Sequence, residues 1–190
     1  MSLGLKYKNE EHIFDEREVD GVPYLSFPLI EKTGIVKHGF STRLGGVSKG
    51  HCGTMNISTT RGDEPKAIEE NRRRIAKAIG VDPLDFTYTH QTHTTNVAVV
   101  EEKDRGGKFP DTDGMVTNVP GICLVTFYAD CVPLFFVDPV HRAIGLSHSG
   151  WRGTVGRMGK VTLELMQEQY GTDPAQVFAA IGPSICQECY

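Results

Sequence analysis

The stretch GICLVTFYADCVPLFFVDPVHRAIGLSHSGWRG, residues 121–153, constrains this chain more than any other. It contains three short apolar runs, 121–128, 132–137 and 143–147, rich in Val, Ile, Leu and Phe. Each is too short for an ordinary helix, and turn signals such as Asp138-Pro139 bound them, so they read as buried strands. Asp130-Cys131 stands at the end of the first run and His148 at the end of the last. A cysteine and a histidine at the mouths of neighbouring strands can meet in space. The functional question is what third group joins them.

The bulk of the chain narrows the classes. At 190 residues it can bury a real core. Hydrophobic residues make up 39% and charged residues 23%, with a net charge of -4, the balance of an ordinary soluble globular chain. Mild acidity supplies no basic face, so neither nucleic acid nor an anionic membrane surface is an expected partner. No apolar run approaches the roughly 18 residues of a membrane span, and the polar start does not resemble a signal peptide. Cysteines stand at 52, 123, 131, 186 and 189. An odd count without framework spacing predicts reduced thiols and a cytoplasmic location. Cys186 and Cys189 form a lone CxxC; with no second pair and no preceding βαβ pattern, two incidental thiols is the preferred reading.

Along the chain, residues 1–20 are polar and read as a peripheral segment, and 21–190 as one domain without repeats or linkers. VPYLSFPL (22–29) predicts an edge strand, because two prolines bar a central position. The loop from His38 to Gly50 is dense in glycine and hydroxyls; Gly45-Gly46 permits positive φ and close backbone approach, as an anion nest or as a plain turn. Residues 63–80 predict a helix with Asp63 as N-cap, Pro65 in the first turn and Gly80 as its stop. Ile68, Ile75 and Ile79 share its apolar stripe, with Asn71 and Arg72 beside them and Arg73 and Arg74 on a solvated face. A partly desolvated Arg72 needs an anionic partner, either a carboxylate of the chain or a bound phosphate or substrate anion.

Residues 85–100 are β-branched and aromatic, hence extended. On a strand His90 and His93 point to opposite sides while Gln91 and His93 share a face, so only one histidine can serve a given site. Residues 101–113 read as a charged surface loop, and 114–118 as the start of the strand system. A helix is expected over about 154–170, with Val155, Met158, Val161, Leu165 and Tyr170 as its buried stripe, and 176–181 as a last strand.

Cys131 and His148 admit three readings from these residues alone. As a dyad, the histidine would deprotonate the thiol for nucleophilic attack. As metal ligands, with His93 as a third, they would leave one coordination position open, the catalytic pattern for zinc, with copper also suited. Otherwise Cys131 is a small buried hydrophobe and His148 a hydrogen-bonded loop residue. A three-ligand site with bound water favours hydrolysis or attack on an amino-substituted ring carbon. The glycine-rich loop and Arg72 add anion handles, hinting at a small polar substrate with phosphate nearby.

HGFSTRLGGVS (38–48), Asn71-Arg72, Gln91-Thr-His93, Ala129-Asp-Cys131, His148-Ser-Gly-Trp-Arg-Gly153 and Ile181-Gly-Pro with Cys189-Tyr190 stand in the order of the YfiH-type family. That family has long carried the label multicopper polyphenol oxidoreductase or laccase domain and is now regarded as purine nucleoside phosphorylases. The resemblance covers roughly residues 28–190. It implies an α+β fold, a mixed sheet core with flanking helices similar to the catalytic domain of cytotoxic necrotizing factor toxins. It implies metal ligation, and catalysis, by His93, Cys131 and His148, with zinc as the cofactor and copper possible. The implied reaction is phosphorolysis of adenosine, inosine and 5'-methylthioadenosine to base and ribose 1-phosphate, with adenosine deamination beside it. Ser41, Arg43 and Arg72 match motif positions suited to phosphate or ribose.

Two departures accompany the resemblance. Ser149 replaces the usual alanine of the His-Ala-Gly-Trp motif, a small-for-small change. Family members also continue past Cys-Tyr, so the domain is expected to lack their C-terminal elements. The alternatives are a copper phenol oxidase, for which seven histidines are few, and a metal-free Cys131–His148 hydrolase. The sequence does not choose the nucleoside or the oligomeric state.

Overall fold

The structure, a computed structural model, describes residues 3–4 and 12–190. The fold is α+β with mixed sheets and flanking helices, as the resemblance implies. The chain forms two compact units, Met1–Lys32 with Val36–Pro83, and Thr33–Ile35 with Leu84–Tyr190.

In the first unit, β1 (Asp15–Val19) pairs antiparallel with β2 (Val22–Ser26), α1 (Pro28–Glu31) follows, and β3 (Phe40–Ser41) pairs with the other edge of β2. Asp15–Val19 of the peripheral segment is an edge strand exposed along most of its length; residues 1–2 and 5–11 lie outside the described residues. One expectation is corrected here: the proline-bearing strand is central, not an edge. Its pairing with β3 covers only Tyr24 and Leu25, so Pro23 owes that neighbour no amide, and Pro28 lies beyond the strand as the first residue of α1.

Helix α2 (Pro65–Ile79) ends at Gly80 with φ 81, the left-handed stop that glycine takes without cost. Ile68 and Ile75 are buried as the spacing requires, while Ile79 is half-buried. The N-cap is Glu64, not Asp63. Asp63 instead accepts from Ser48 Oγ (2.6 Å), Asn56 Nδ2 (2.9 Å) and Glu64 N (2.9 Å). Arg73 lies on the solvated face as expected, but Arg74 is half-buried; both pair with Glu70, and Arg74 also donates to Gly45 O.

The second unit contains β4 (Phe86–Thr89), β5 (Val97–Val99), β6 (Lys108–Phe109), β7 (Gly114–Thr117), β8 (Cys123–Val125), β9 (Val132–Asp138) and β10 (Ala143–Ser149), then α3 (Trp151–Val155), α4 (Met158–Tyr170) and β11 (Phe178–Ile181). A five-stranded sheet runs β11-β9-β10-β7-β5 and a three-stranded parallel one β6-β4-β8. The runs 132–137 and 143–147 are strands, as read; of the first run, 121–128, only Cys123–Val125 is a strand, and it belongs to the smaller sheet.

Alternation along β10 and β7 builds two cores. Val116, Phe136 and Ala143 pack with Met166 of α4 on one face. Met115, Ile144 and Leu146 pack with Ile122 and Leu124 on the other. The helix sits tightly on the sheet: a Cβ at Gly145 would lie 3.1 Å from Met166 Sδ and 3.1 Å from Thr162 Cγ2.

The single helix expected over 154–170 is two helices, broken at Arg157, whose φ is 58. The break rotates the buried stripe to Met158, Thr162 and Met166, and leaves Val155 76% exposed.

Candidate metal centre

His148 lies at the end of β10, and Cys131 immediately precedes the start of β9. In the β9–β10 pair His148 lies opposite Pro133 and Ser149 opposite Val132, so Cys131 falls one residue past the last registered pair. His93 comes from the loop between β4 and β5. The extended reading of 85–100 is corrected here: the strand stops at Thr89, and His93 takes a left-handed φ of 63. Face-sharing therefore plays no part in selecting it. His90 is exposed. Gln91 instead binds both backbone polar groups of one residue, donating to Phe127 O (2.7 Å) and accepting from Phe127 N (2.8 Å).

The structure brings His93, Cys131 and His148 together, with one ligand atom of each within 4.8 Å of the others. A tetrahedral ion with bonds of about 2.0–2.3 Å can gather such a set. The two imidazoles stand nearly perpendicular, ring centroids 4.9 Å apart at 84°. His148 is buried, Cys131 half-buried and His93 exposed, so the group is reachable from one side. Gly150, the N-cap of α3, is packed against it: a Cβ there would lie 2.9 Å from His93 Cδ2 and 3.1 Å from Cys131 Sγ. The donor set of one soft sulfur and two imidazoles fits zinc or copper.

Asp113 is the functional residue that the sequence reading placed in a surface loop; it is fully buried. Ser147 lies opposite Gly114 in the β7–β10 pair, so Asp113 lies opposite His148, on the same face of the sheet. Its Oδ1 accepts from His148 Nδ1 (2.7 Å) and His93 N (3.0 Å). Its Oδ2 accepts from Thr92 N (3.1 Å), Thr94 N (2.9 Å) and Thr94 Oγ1 (3.0 Å). The only cue in the sequence is an Asp-Gly step before an apolar strand, and it acquires meaning only with the strand register. Tyr128, another residue not singled out, tilts its ring toward His148 and bonds through its hydroxyl to Thr126 and Ser147 O.

Electrostatics separates the readings of the trio. Burial pushes the His148 pKa down, and the hydrogen bond to Asp113 offsets this only in part. Burial, with Asp130 and Asp113 nearby, pushes the Cys131 thiol up. A thiolate–imidazolium pair is therefore disfavoured at both ends, which weakens the metal-free dyad. A bound cation reverses the cost for the sulfur and prefers the neutral imidazole.

Ser41, Arg43 and Arg72 belong to the first unit. Ser41 lies in β3 opposite Tyr24. The exposed Arg43 donates from Nη2 to Gly53 O (3.0 Å), and Arg72 from Nε and Nη2 to Ile57 O (3.1 and 3.0 Å). The close approach at Gly46 is to the chain itself, since a Cβ would lie 2.0 Å from Thr54 O. The amides of Leu44, Gly46, Val47 and Ser48 donate to Thr42, Thr54, Asn71 and Thr54 respectively, so the loop is not an open nest at those positions.

The family profile described as multi-copper polyphenol oxidoreductase laccase matches residues 37–190, and the chain belongs to that YfiH-type family. It is 42% identical over 170 residues to a purine nucleoside phosphorylase of Deinococcus radiodurans, covering 90% of this chain and 63% of that one. It is 36% identical over 159 residues to an adenosine deaminase from an unknown prokaryotic organism, covering 80% and 60%. The crystal structure of YlmD from Geobacillus stearothermophilus superposes with a TM-score of 0.84 at 32% identity, covering 94% of this chain and 67% of YlmD. The chain thus spans less than two thirds of the length of these two curated relatives.

Proposed function

We propose that this protein is a cytoplasmic, zinc-dependent purine nucleoside phosphorylase with adenosine deaminase activity beside it. The observation that carries the proposal is the convergence of His93, Cys131 and His148 in a chain whose relatives bear those two activities by name. Five free cysteines suit a reducing compartment, and no helix among the described residues is long and apolar enough to cross a membrane.

In phosphorolysis a phosphate oxygen bonds to the anomeric carbon as the glycosidic C–N bond breaks; the base leaves with a proton and ribose 1-phosphate remains. In deamination, water adds at the amino-bearing ring carbon and ammonia leaves. His93, Cys131 and His148 would hold zinc, which when bound supplies a Lewis acid and lowers the pKa of a water. His148, neutral and buried, keeps a nitrogen lone pair available to that position, and exposed His93 leaves the way to it open. We assign Ser41, Arg43 and Arg72 to phosphate or ribose. Supporting this, both guanidiniums are anchored through part of their donor set by backbone carbonyls, which fixes a charge in place.

A copper phenol oxidase fits less well, since multicopper oxidation needs several sites and the described residues offer one three-ligand group. The test is chromatography of adenosine incubated with the protein, with and without phosphate, zinc and copper being quantified in the same sample. Phosphate-dependent adenine with about one zinc per chain, the occupancy of one three-ligand site, supports the proposal. Inosine formed without phosphate dependence makes deamination the main activity. A fully zinc-loaded sample that yields neither product refutes the reading.

A further inference from the structure

A single carboxylate touches both histidine ligand candidates in different ways. Asp113 holds His148 by its ring, through Nδ1, and by its backbone, since His148 N donates to Asp113 O at 2.6 Å. It holds His93 by its backbone alone: the amides of residues 92, 93 and 94 converge on the two carboxylate oxygens, with the Thr94 hydroxyl beside them. Three successive amides pointing at one anion require a tight turn, and His93 adopts the left-handed φ of 63 within it. A non-glycine residue in that region is uncommon and is kept there by its surroundings. At Asp113 the five donors are gathered on one fully buried side chain.

We propose that Asp113 is the positioning residue of the metal centre: it fixes the His148 proton on Nδ1, presenting Nε2 to Cys131 and His93, and shapes the 92–94 turn that carries His93. The inference rests on the metal reading given above. It adds that the ligand geometry is set by the polypeptide before any ion arrives.

The chemistry of the five donors makes the claim testable. An ionised carboxylate accepts at both oxygens, whereas the amide introduced by Asp113→Asn must place an NH₂ group at one of the two positions. At the Oδ2 position that group would face the amides of Thr92 and Thr94, which can only donate. At the Oδ1 position it would face the His93 amide, and His148 could accommodate it only by moving its proton to Nε2, the ligand nitrogen. Either outcome disturbs the trio, so no rotamer of the substituted side chain reproduces the native arrangement.

The first measurement is on the unaltered, metal-stripped protein: ¹⁵N chemical shifts of the His148 ring at a pH where the imidazole is neutral. The proton is expected on Nδ1; a proton resident on Nε2 overturns the proposal, whether or not any variant folds. The second compares zinc affinity, by chelator competition, of the wild type and Asp113→Asn, with folding checked by amide NMR. A fall of about 10- to 100-fold is expected, the usual scale for the partner of a ligating histidine. An unchanged affinity in a folded variant overturns it, as does a loss of thermal stability with tautomer and affinity both intact, which would make Asp113 merely structural. If the wild type shows no specific zinc affinity, the metal reading fails by itself, and the tautomer result still decides whether Asp113 orients His148.

Discussion

The β9–β10 hairpin carries a carboxylate–imidazole pair at each end. At the turn, Asp138 Oδ2 meets His141 Nδ1 at 2.8 Å; at the open end, Asp113 Oδ1 meets His148 Nδ1 at 2.7 Å. Both aspartates are fully buried, and both accept backbone amides as well as the ring. They differ in what surrounds the imidazole. His141 is 37% exposed and belongs to no metal-binding group among the described residues, whereas His148 is 4% exposed and faces Cys131 and His93. The same pair thus closes a turn in one place and orders a ligand set in the other. Carboxylate–histidine geometry by itself therefore does not mark a site; the company of a thiol and a second imidazole does.

The largest contrast to test is removal of the ring at each end. His148→Ala, like Cys131→Ala, is expected to take bound zinc from about one per chain to near zero and phosphorolysis to background. His141→Ala should leave both unchanged. Zinc analysis and adenine release in parallel decide this, and activity retained by the Cys131→Ala protein would remove the metal site from the mechanism. A pair of glycines probes the same contrast without replacing a ligand. Gly150→Ala places a methyl group 2.9 Å from His93 Cδ2 and 3.1 Å from Cys131 Sγ, so zinc affinity should fall about tenfold or more, as when a ligand's support is disturbed. Gly145→Ala presses on Thr162 and Met166 instead and should cost about 1–3 kcal/mol of stability with affinity intact. Urea titrations and chelator competition on both variants separate the two effects. Asp138→Asn is expected to lower stability by about 1–3 kcal/mol, the scale of a buried hydrogen-bonded group deprived of partners, again without altering zinc affinity.

How much of this was legible in the sequence follows the range of the interactions. The turn pair is local: Asp138-Pro139 announces a turn, and a side chain three residues from its partner needs no tertiary information. The runs at 132–137 and 143–147, the stop of α2 at Gly80 and the burial of Ile68 and Ile75 are local too, and they stand where the pattern puts them. Asp113 is different. Its meaning arises from the register that sets Ser147 opposite Gly114, and no local signal fixes a register between segments so far apart. His93 is singled out by the resemblance alone; strand geometry does not apply to it, because three amides bind a carboxylate there and turn the chain away from extension. The long helix failed for a related reason: Arg157 in the left-handed region breaks a run whose composition would have continued, and the true stripe of Met158, Thr162 and Met166 follows the sheet beneath it.

The smallest expected effect concerns pH at the turn, and it asks whether Asp138 is charged as its surroundings imply. Burial pushes its carboxyl pKa up, but this is outweighed by the groups gathered around it, the Thr172 side chain first, then the amide and ring of His141 and the Val140 amide, so its folded-state pKa lies below the ordinary value. The unfolded chain, with a pKa of about 3.9, takes up the proton first as pH falls. The stabilisation is therefore fully present above that value and is lost as pH drops through the lower, folded-state pKa. The amide introduced by Asp138→Asn cannot ionise. The difference in unfolding free energy between wild type and Asp138→Asn, followed from pH 7 to about 4 and below, should accordingly shrink once the carboxyl range is entered. Urea titrations between those limits and below, on metal-free protein so that zinc release adds no slope of its own, read the difference directly. A gap that persists undiminished well below the carboxyl range would mean that shape and neutral hydrogen bonds, not charge, hold the turn. The likeness between the two ends of the hairpin would then be geometric only.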